Sequence, residues 1–275
     1  ALPRDERQAD EFRGGKAAHR GARAVDHVIG VTALPDGEGL TLLHLDGELV
    51  GKLPLHLRTL DPVEALEDAP RVARIDLATF EFREHVPVKG EPVRLTSVAR
   101  LVEKKGIEYA IRALAHVNDE MPDYEYHLFG DGPLRAELEK LAAELGVADS
   151  VKFRGWMAQD ELIRELDKAH ILLTPSVTAA NGDMEGLPVA IMEGMANGLP
   201  VISTRHSGIP ELIRHEENGL LADERDWKTL GELILRLSTS RELAESLARA
   251  GRESVDEQHN IHTLNDRLVA LLKAL

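Results

Sequence analysis

The sequence predicts an α/β protein: a parallel sheet with helices on both faces, carrying a small N-terminal α+β appendage. Three observations support this. From about Glu91 onward, short apolar runs that read as strands alternate with longer amphipathic stretches that read as helices. The strand-like runs end in loops rich in glycine and charge, as ligand-binding edges of parallel sheets do. The first seventy-odd residues lack that alternation. The expected division is therefore 1–74 for the appendage and 75–275 for the main domain.

In the main domain, Val93–Ala99 reads as a buried strand and Gly106–Val117 as the helix after it. Tyr124–Phe129 is the next strand, closed by Gly130-Asp131-Gly132-Pro133, and 134–145 is helical. Val151–Phe153 is a short strand followed by an amphipathic helix over Asp160–Ala169. Ile171–Thr174 is a strand, Pro188–Ala196 a helix and Val201–Ser203 a strand, with a short helix near Pro210. From Trp227 to Leu275 the pattern is mostly helical, with breaks expected near Gly251 and Asn260. The aliphatic stripes at 134–145 and 226–240 are core faces. In the appendage, Gly39–Leu45 and Glu48–Leu53 flank Asp46-Gly47, a two-residue hairpin signal. Asp61-Pro62 marks a helix start. Residues 1–24, polar and interrupted by Gly14-Gly15, are expected to form a loose helix or to be disordered. The echo of Gly186-Leu187-Pro188-Val189 in Gly198-Leu199-Pro200-Val201 occurs only twice, too few copies for a repeat fold.

Composition narrows the function. With 33 basic against 48 acidic residues, a net charge of -15 disfavours nucleic acid or an anionic membrane as the main partner. The chain has no cysteine, which excludes disulfides and thiolate metal sites and suits a reducing compartment. No apolar run reaches the roughly 20 residues of a membrane span, and the start lacks a secretory apolar region. The expectation is a soluble cytoplasmic protein, peripheral at the inner membrane if it meets one at all. No zinc or Asp-x-Asp motif occurs, and the twelve histidines lack ligand spacing, so no metal is expected.

The chemistry concentrates in two segments. Glu185 lies in the loop before the Pro188 helix and Glu193 inside that helix, seven residues intervening. Proline suits a helix start, and the free N–H groups there favour an anion such as phosphate. Carboxylates on either side of a phosphate site suit the hydroxyls of a ribose and of a second sugar. A glycosidase pair is the rival reading, but hydrolytic carboxylates face one another across the bond. Arg100 and Lys105 follow the first strand of the main domain, where two cations can neutralise a pyrophosphate without a metal. Alone, they would read as ordinary solvated charges. His206, in a loop after a strand, is a further candidate ligand contact.

Arg100 with Lys105, Phe129-Gly130-Asp131-Gly132-Pro133, Val151-Lys152-Phe153-Arg154-Gly155, and Glu185 with Glu193 occur in an order that resembles family-four retaining glycosyltransferases. The likeness runs from about Ile75 to Ser240, and 175–221 is similar to bacterial exopolysaccharide and colanic-acid types. The resemblance implies a GT-B fold, of which this stretch would be the Rossmann-like C-terminal half that binds the nucleotide sugar. It implies that Arg100 and Lys105 hold the diphosphate, Glu193 the ribose, and Glu185 the donor sugar. The backbone of Gly186, Leu187 and Pro188 would meet sugar and phosphate, Gly130 would let the nucleotide approach, and Arg154 would border the base. Glu185, Arg100 and Lys105 are then the catalytic candidates. No cofactor is implied; the substrate is a nucleotide sugar, a UDP-sugar ahead of GDP-mannose, and the acceptor a glycan or lipid-linked sugar. Ile75–Phe80 resembles the passage between the two family domains. About seventy residues precede it, against roughly 100–150 for a usual domain, and the family's glycine-rich acceptor loop has no counterpart among them. Three readings stay open: a compact transferase, the donor subunit paired with an acceptor-domain protein or a second copy, and a nucleotide-sugar binding module without turnover.

Overall fold

The computed structural model describes residues 30–33, 40–43, 49–53, 75–85, 87 and 90–274. The chain divides into two units, Ala1–Ala69 and Pro70–Leu275, a boundary five residues before the one expected at 75. In the first unit, β1 (Gly30–Ala33), β2 (Leu40–Leu43) and β3 (Leu49–Leu53) form an antiparallel sheet in chain order. The pairing of β2 with β3 is the anticipated hairpin, with a register shift at Leu42/Leu43; β1 was not anticipated. The hairpin tip at Asp46-Gly47, the helix expected from Asp61 and the stretch 1–24 lie outside the described residues.

The second unit is a six-stranded parallel sheet, Rossmann-like in its strand order. Its strands are β4 (Val93–Val98), β5 (Tyr124–Phe129), β6 (Val151–Gly155), β7 (Ile171–Thr174), β8 (Val201–Thr204) and β9 (Leu220–Ala222). Across the sheet they run β6-β5-β4-β7-β8-β9. The chain therefore winds outward from β4 in one direction and then restarts at β7 in the other. The loops leaving β4 and β7 diverge at this switch point, where open α/β sheets bind their ligands.

The helices are α1 (Ile107–Val117), α2 (Arg135–Glu144), α3 (Gln159–Leu166), α4 (Val189–Asn197), α5 (Ile209–Leu212), α6 (Trp227–Thr239), α7 (Arg241–His259) and α8 (Ile261–Ala274). Strand side chains alternate between two separate cores. Ile171 and Leu173 of β7 join one core while Leu172 joins the other; in β8, Ile202 and Val201 divide the same way. The first core packs against α1, α2 and α6, the second against α4 and α5. Helices thus cover both faces, which is why the strands β7, β8 and β9 are buried along their whole length.

Two features of the C-terminal half depart from expectation. β9 was not anticipated: Leu-Leu-Ala is too short to carry a period. Gly251 does not break α7, which runs unbroken to His259. It is buried, and a Cβ there would lie 3.3 Å from the Asn218 carbonyl, so the glycine serves a close approach. The chain turns instead at Ser240, which caps α7 by accepting from the Leu243 N–H, and at Asn260. Ile75 pairs with Asn260 through Ile75 N–H to His259 O (2.9 Å) and Ile261 N–H to Ile75 O (3.1 Å), tying the entry of this unit to its final helices.

Candidate functional site

At the switch point, the β4 loop and the β7 loop are stitched together. The β4 loop makes a 3-10 turn over Glu103–Lys105 and enters α1 through Gly106 at φ +63°. A side chain at Gly106 would place its Cβ 1.8 Å from the Pro175 carbonyl oxygen, so only glycine lets the loops approach this closely. The Val177 N–H donates to Lys104 O at 2.9 Å, and the Ala180 N–H to the Glu103 carboxylate at 2.8 Å.

Side chains complete the junction. Lys105 Nζ donates to Glu185 Oε2 at 2.7 Å, and Lys104 Nζ stands 3.4 Å from Glu185 Oε1 and 3.1 Å from Asp183 Oδ1. The Glu185 side chain is only 10% exposed, so this is a largely buried carboxylate held between two ammonium groups. The bond to Asp183 is the main cause holding the Lys104 ammonium above its ordinary range. Two candidates read separately from sequence, Lys105 and Glu185, are thus in direct contact, and diphosphate binding would require Lys105 to share or leave that bond. Lys104 and Asp183 were not anticipated; the Lys104-Lys105 doublet was their only signal.

Arg100 leaves the same strand end, exposed, and its side chain has no hydrogen-bond or ion-pair partner among the described residues. It is a cation available to a ligand at the edge where Lys105 is already engaged. Glu193 lies in the second turn of α4, half-buried, and burial alone raises its carboxyl above the usual range. An ionised carboxylate held there lacks compensation, and two sugar hydroxyls would supply it. Pro188 is the N-cap of α4, one residue before the helical turn in which it was expected, and no side chain caps that end. Gly186 is exposed with open space around it, while Leu187 packs against the second core.

Gly130 and Arg154 stand farther along the edge. Gly130, at φ +129°, has the Ala99 carbonyl where a Cβ would fall, at 2.0 Å. That backbone contact requires glycine whatever binds nearby. Arg154 is exposed at the end of β6, which β5 and β4 separate from β7. It shares the sheet end with Glu185 but not its immediate surroundings.

His206 does not face a ligand. It is fully buried, and both ring nitrogens are engaged. Nε2 accepts from the Glu185 backbone N–H at 3.0 Å, so the proton resides on Nδ1, which lies 2.6 Å from Glu224 Oε1. Glu224 also accepts from the Thr178 N–H at 2.8 Å and its hydroxyl at 3.2 Å. Burial raises the Glu224 carboxyl, but the Thr178 and His206 hydrogen bonds outweigh it and hold the group below the ordinary range. Glu224 was missed because it follows β9, the unrecognised strand.

Comparison with known proteins places this geometry in context. A family model described as "Glycosyl transferases group 1" matches residues 79–254. The amylovoran biosynthesis glycosyltransferase AmsK of Erwinia amylovora is 45% identical over 185 residues, 67% of this chain and 46% of that protein. The putative colanic acid biosynthesis glycosyltransferase WcaL of Escherichia coli is 40% identical over 205 residues, 73% of this chain and 50% of its own length. A GDP-mannose-dependent phosphatidylinositol monomannoside mannosyltransferase of Mycobacterium tuberculosis is 34% identical over 207 residues, 75% of this chain and 54% of that one. The chain spans about half the length of these relatives. Among solved structures, the C-terminal domain of LpcC from Francisella tularensis superposes with a TM-score of 0.59 at 21% identity, covering 68% of this chain and 99% of that domain. Sucrose-phosphate synthase of Thermosynechococcus elongatus gives 0.61 at 26% identity, with 74% of this chain and 51% of that one covered.

Proposed function

The chain belongs to the group 1 glycosyl transferases, and from that premise we propose that residues 70–275 are the nucleotide-sugar half of a transferase in polysaccharide biosynthesis. One observation carries the reading: the switch point brings Lys105 and Glu185 together, with Arg100, whose side chain is unpaired among the described residues, leaving the same strand end and α4 carrying Glu193. In the proposed reaction, an acceptor hydroxyl oxygen bonds to the anomeric carbon as the bond from that carbon to the diphosphate breaks; the electron pair leaves on the nucleoside diphosphate, which also takes the hydroxyl proton. Arg100 and Lys105 neutralise that charge, Glu185 contacts the donor sugar, and Glu193 holds the ribose. The acceptor is a glycan or lipid-linked sugar on the cytoplasmic side of the membrane, transfer retains the anomeric configuration, and no metal takes part. Among the described residues, no helix is long and apolar enough to cross a membrane.

A UDP-sugar is the first donor proposed. GDP-mannose is the second, because the 34%-identical mycobacterial relative is named for its dependence on it.

The double variant Arg100→Ala/Lys105→Ala tests the diphosphate site. Charge-assisted hydrogen bonds contribute about 1.5–3 kcal/mol, so affinity for UDP or GDP should fall at least tenfold. Affinity for uridine or guanosine, measured by the same calorimetric titration, should change by less than about twofold. Equal losses for nucleotide and nucleoside would remove the pyrophosphate role.

A further inference from the structure

We infer that His206, itself fully buried, is a positioning residue that sets Glu185 from behind, through a part-buried hydrogen-bonded chain running Thr178–Glu224–His206–Glu185. This rests on the reading of Glu185 as the donor-sugar contact.

The chain joins three loops that leave adjacent strands: Thr178 and Glu185 after β7, His206 after β8 and Glu224 after β9. Each link has one assignable direction. The Glu185 N–H can only donate, so the histidine ring accepts at Nε2 and donates from Nδ1. Glu224 then accepts from that ring at one oxygen and from the Thr178 N–H at the other. Arg225 braces the far end, donating to the Thr178 carbonyl and standing 3.7 Å from Glu224.

The backbone around the chain is consistent with a fixed geometry. Three non-glycine residues have positive φ among those described, and two of them, Ser207 (φ +46°) and Arg225 (φ +64°), directly follow His206 and Glu224. Such conformations cost free energy and persist where surrounding structure over-determines them, typically at functional sites. The single hydrogen bond between the fully buried His206 ring and the Glu224 carboxylate, which is 23% exposed, is a modest source of stability. Its contribution is orientation. With its N–H fixed from behind and its carboxylate held by Lys104 and Lys105 in front, Glu185 is constrained at both ends.

The test is calorimetric titration of the whole chain with UDP, UDP-glucose, GDP and GDP-mannose, reading the ratio of nucleotide-sugar affinity to bare-nucleotide affinity. For the base that binds, His206→Phe removes both hydrogen bonds at similar bulk. Its ratio should fall roughly tenfold while bare-nucleotide affinity stays within about threefold, as for loss of one well-placed charged contact. His206→Gln, whose amide oxygen can reach the Nε2 position, should recover most of the ratio. A merely structural histidine would instead lower both affinities together, and that outcome overturns the proposal. Glu185→Ala separates the two layers of argument. If it lowers the ratio and His206→Phe does not, the relay is overturned while the sugar contact stands. If Glu185→Ala leaves the ratio unchanged, both fail. Should His206→Phe not fold, Glu224→Gln decides. It keeps the acceptor for His206 but turns an amide toward the Thr178 N–H, so the ratio should fall; an unchanged ratio overturns the relay.

Discussion

Glu193 is costly to the fold, and in the proposed function it is the group that holds a ligand. Burial raises its carboxyl, so the folded protein binds a proton more readily there than the unfolded chain does. The contribution to stability is therefore lost as pH rises through the ordinary carboxylate value of 4.5 toward the raised one. Near neutrality the ionised group has no hydrogen-bond or ion-pair partner among the described residues, and Glu193→Gln should leave the ligand-free thermal midpoint unchanged or raise it. Nucleotide affinity should move the other way. A carboxylate that accepts two ribose hydroxyls contributes about 1–3 kcal/mol, so Glu193→Ala or Glu193→Gln should weaken binding by that amount. In the unmodified protein, affinity should be greatest above the raised value and fall as acid protonates Glu193, at a higher pH than for a solvated carboxylate. Titrations from pH 7 down to about 4.5, an ordinary carboxylate value, would show this; a flat profile and an unaltered Gln variant would displace the ribose assignment. The sequence disclosed Glu193 because its spacing from Glu185 and the following glycine form one continuous segment. It did not disclose the roles of His206 and Glu224, whose partnership crosses two strands.

Among the elements, the junction of the β4 and β7 loops decides whether the site exists. Gly106 is its narrowest point, and Gly146 offers a matched control. Both have positive φ, +63° and +76°, but a Cβ at Gly146 would meet nothing within 4 Å. Gly146→Ala should therefore cost only the conformational penalty, about 1 kcal/mol. Gly106→Ala adds a collision with the Pro175 carbonyl and should cost about 2–4 kcal/mol, in the range of strained, overpacked positions. It should also weaken nucleotide binding, because separating the loops carries the Arg100 and Lys105 cations away from the helix that holds Glu193. Chemical denaturation of both variants measures the difference, and similar losses would mean that the junction yields easily. Elements were legible where their limits are local. Tyr124–Phe129, rich in aromatic residues, and Ile171–Thr174, an apolar run, are closed by glycine and proline, and the observed strands have those same limits. Gly251 reads as a break but is a contact, because what requires glycine is the Asn218 carbonyl, far away in sequence.

For the whole molecule, the governing fact is that this chain spans about half the length of its relatives. Glycosyl transfer needs the donor and acceptor positioned together and water kept from the activated sugar. In the proposed function the α/β unit supplies the donor groups: a cation unpaired among the described residues at the sheet edge, a second held by a carboxylate, and a carboxylate suited to a ribose. Nothing assigned in that unit has a role toward an acceptor hydroxyl. Binding and turnover should therefore separate. Titrating the chain with UDP, GDP, ADP and their glucose or mannose conjugates should reveal one preferred base. The bound nucleotide sugar, followed by release of nucleoside diphosphate, should turn over at background rate until an acceptor-binding protein is supplied. Steady transfer by the chain alone to an added glycan would instead identify a compact enzyme whose first unit provides the acceptor wall. Binding that no acceptor domain converts into transfer would make it a nucleotide-sugar binding module. Failure to bind any of the nucleotides would refute the donor site itself, since the cations and carboxylates on which it rests are all in this chain.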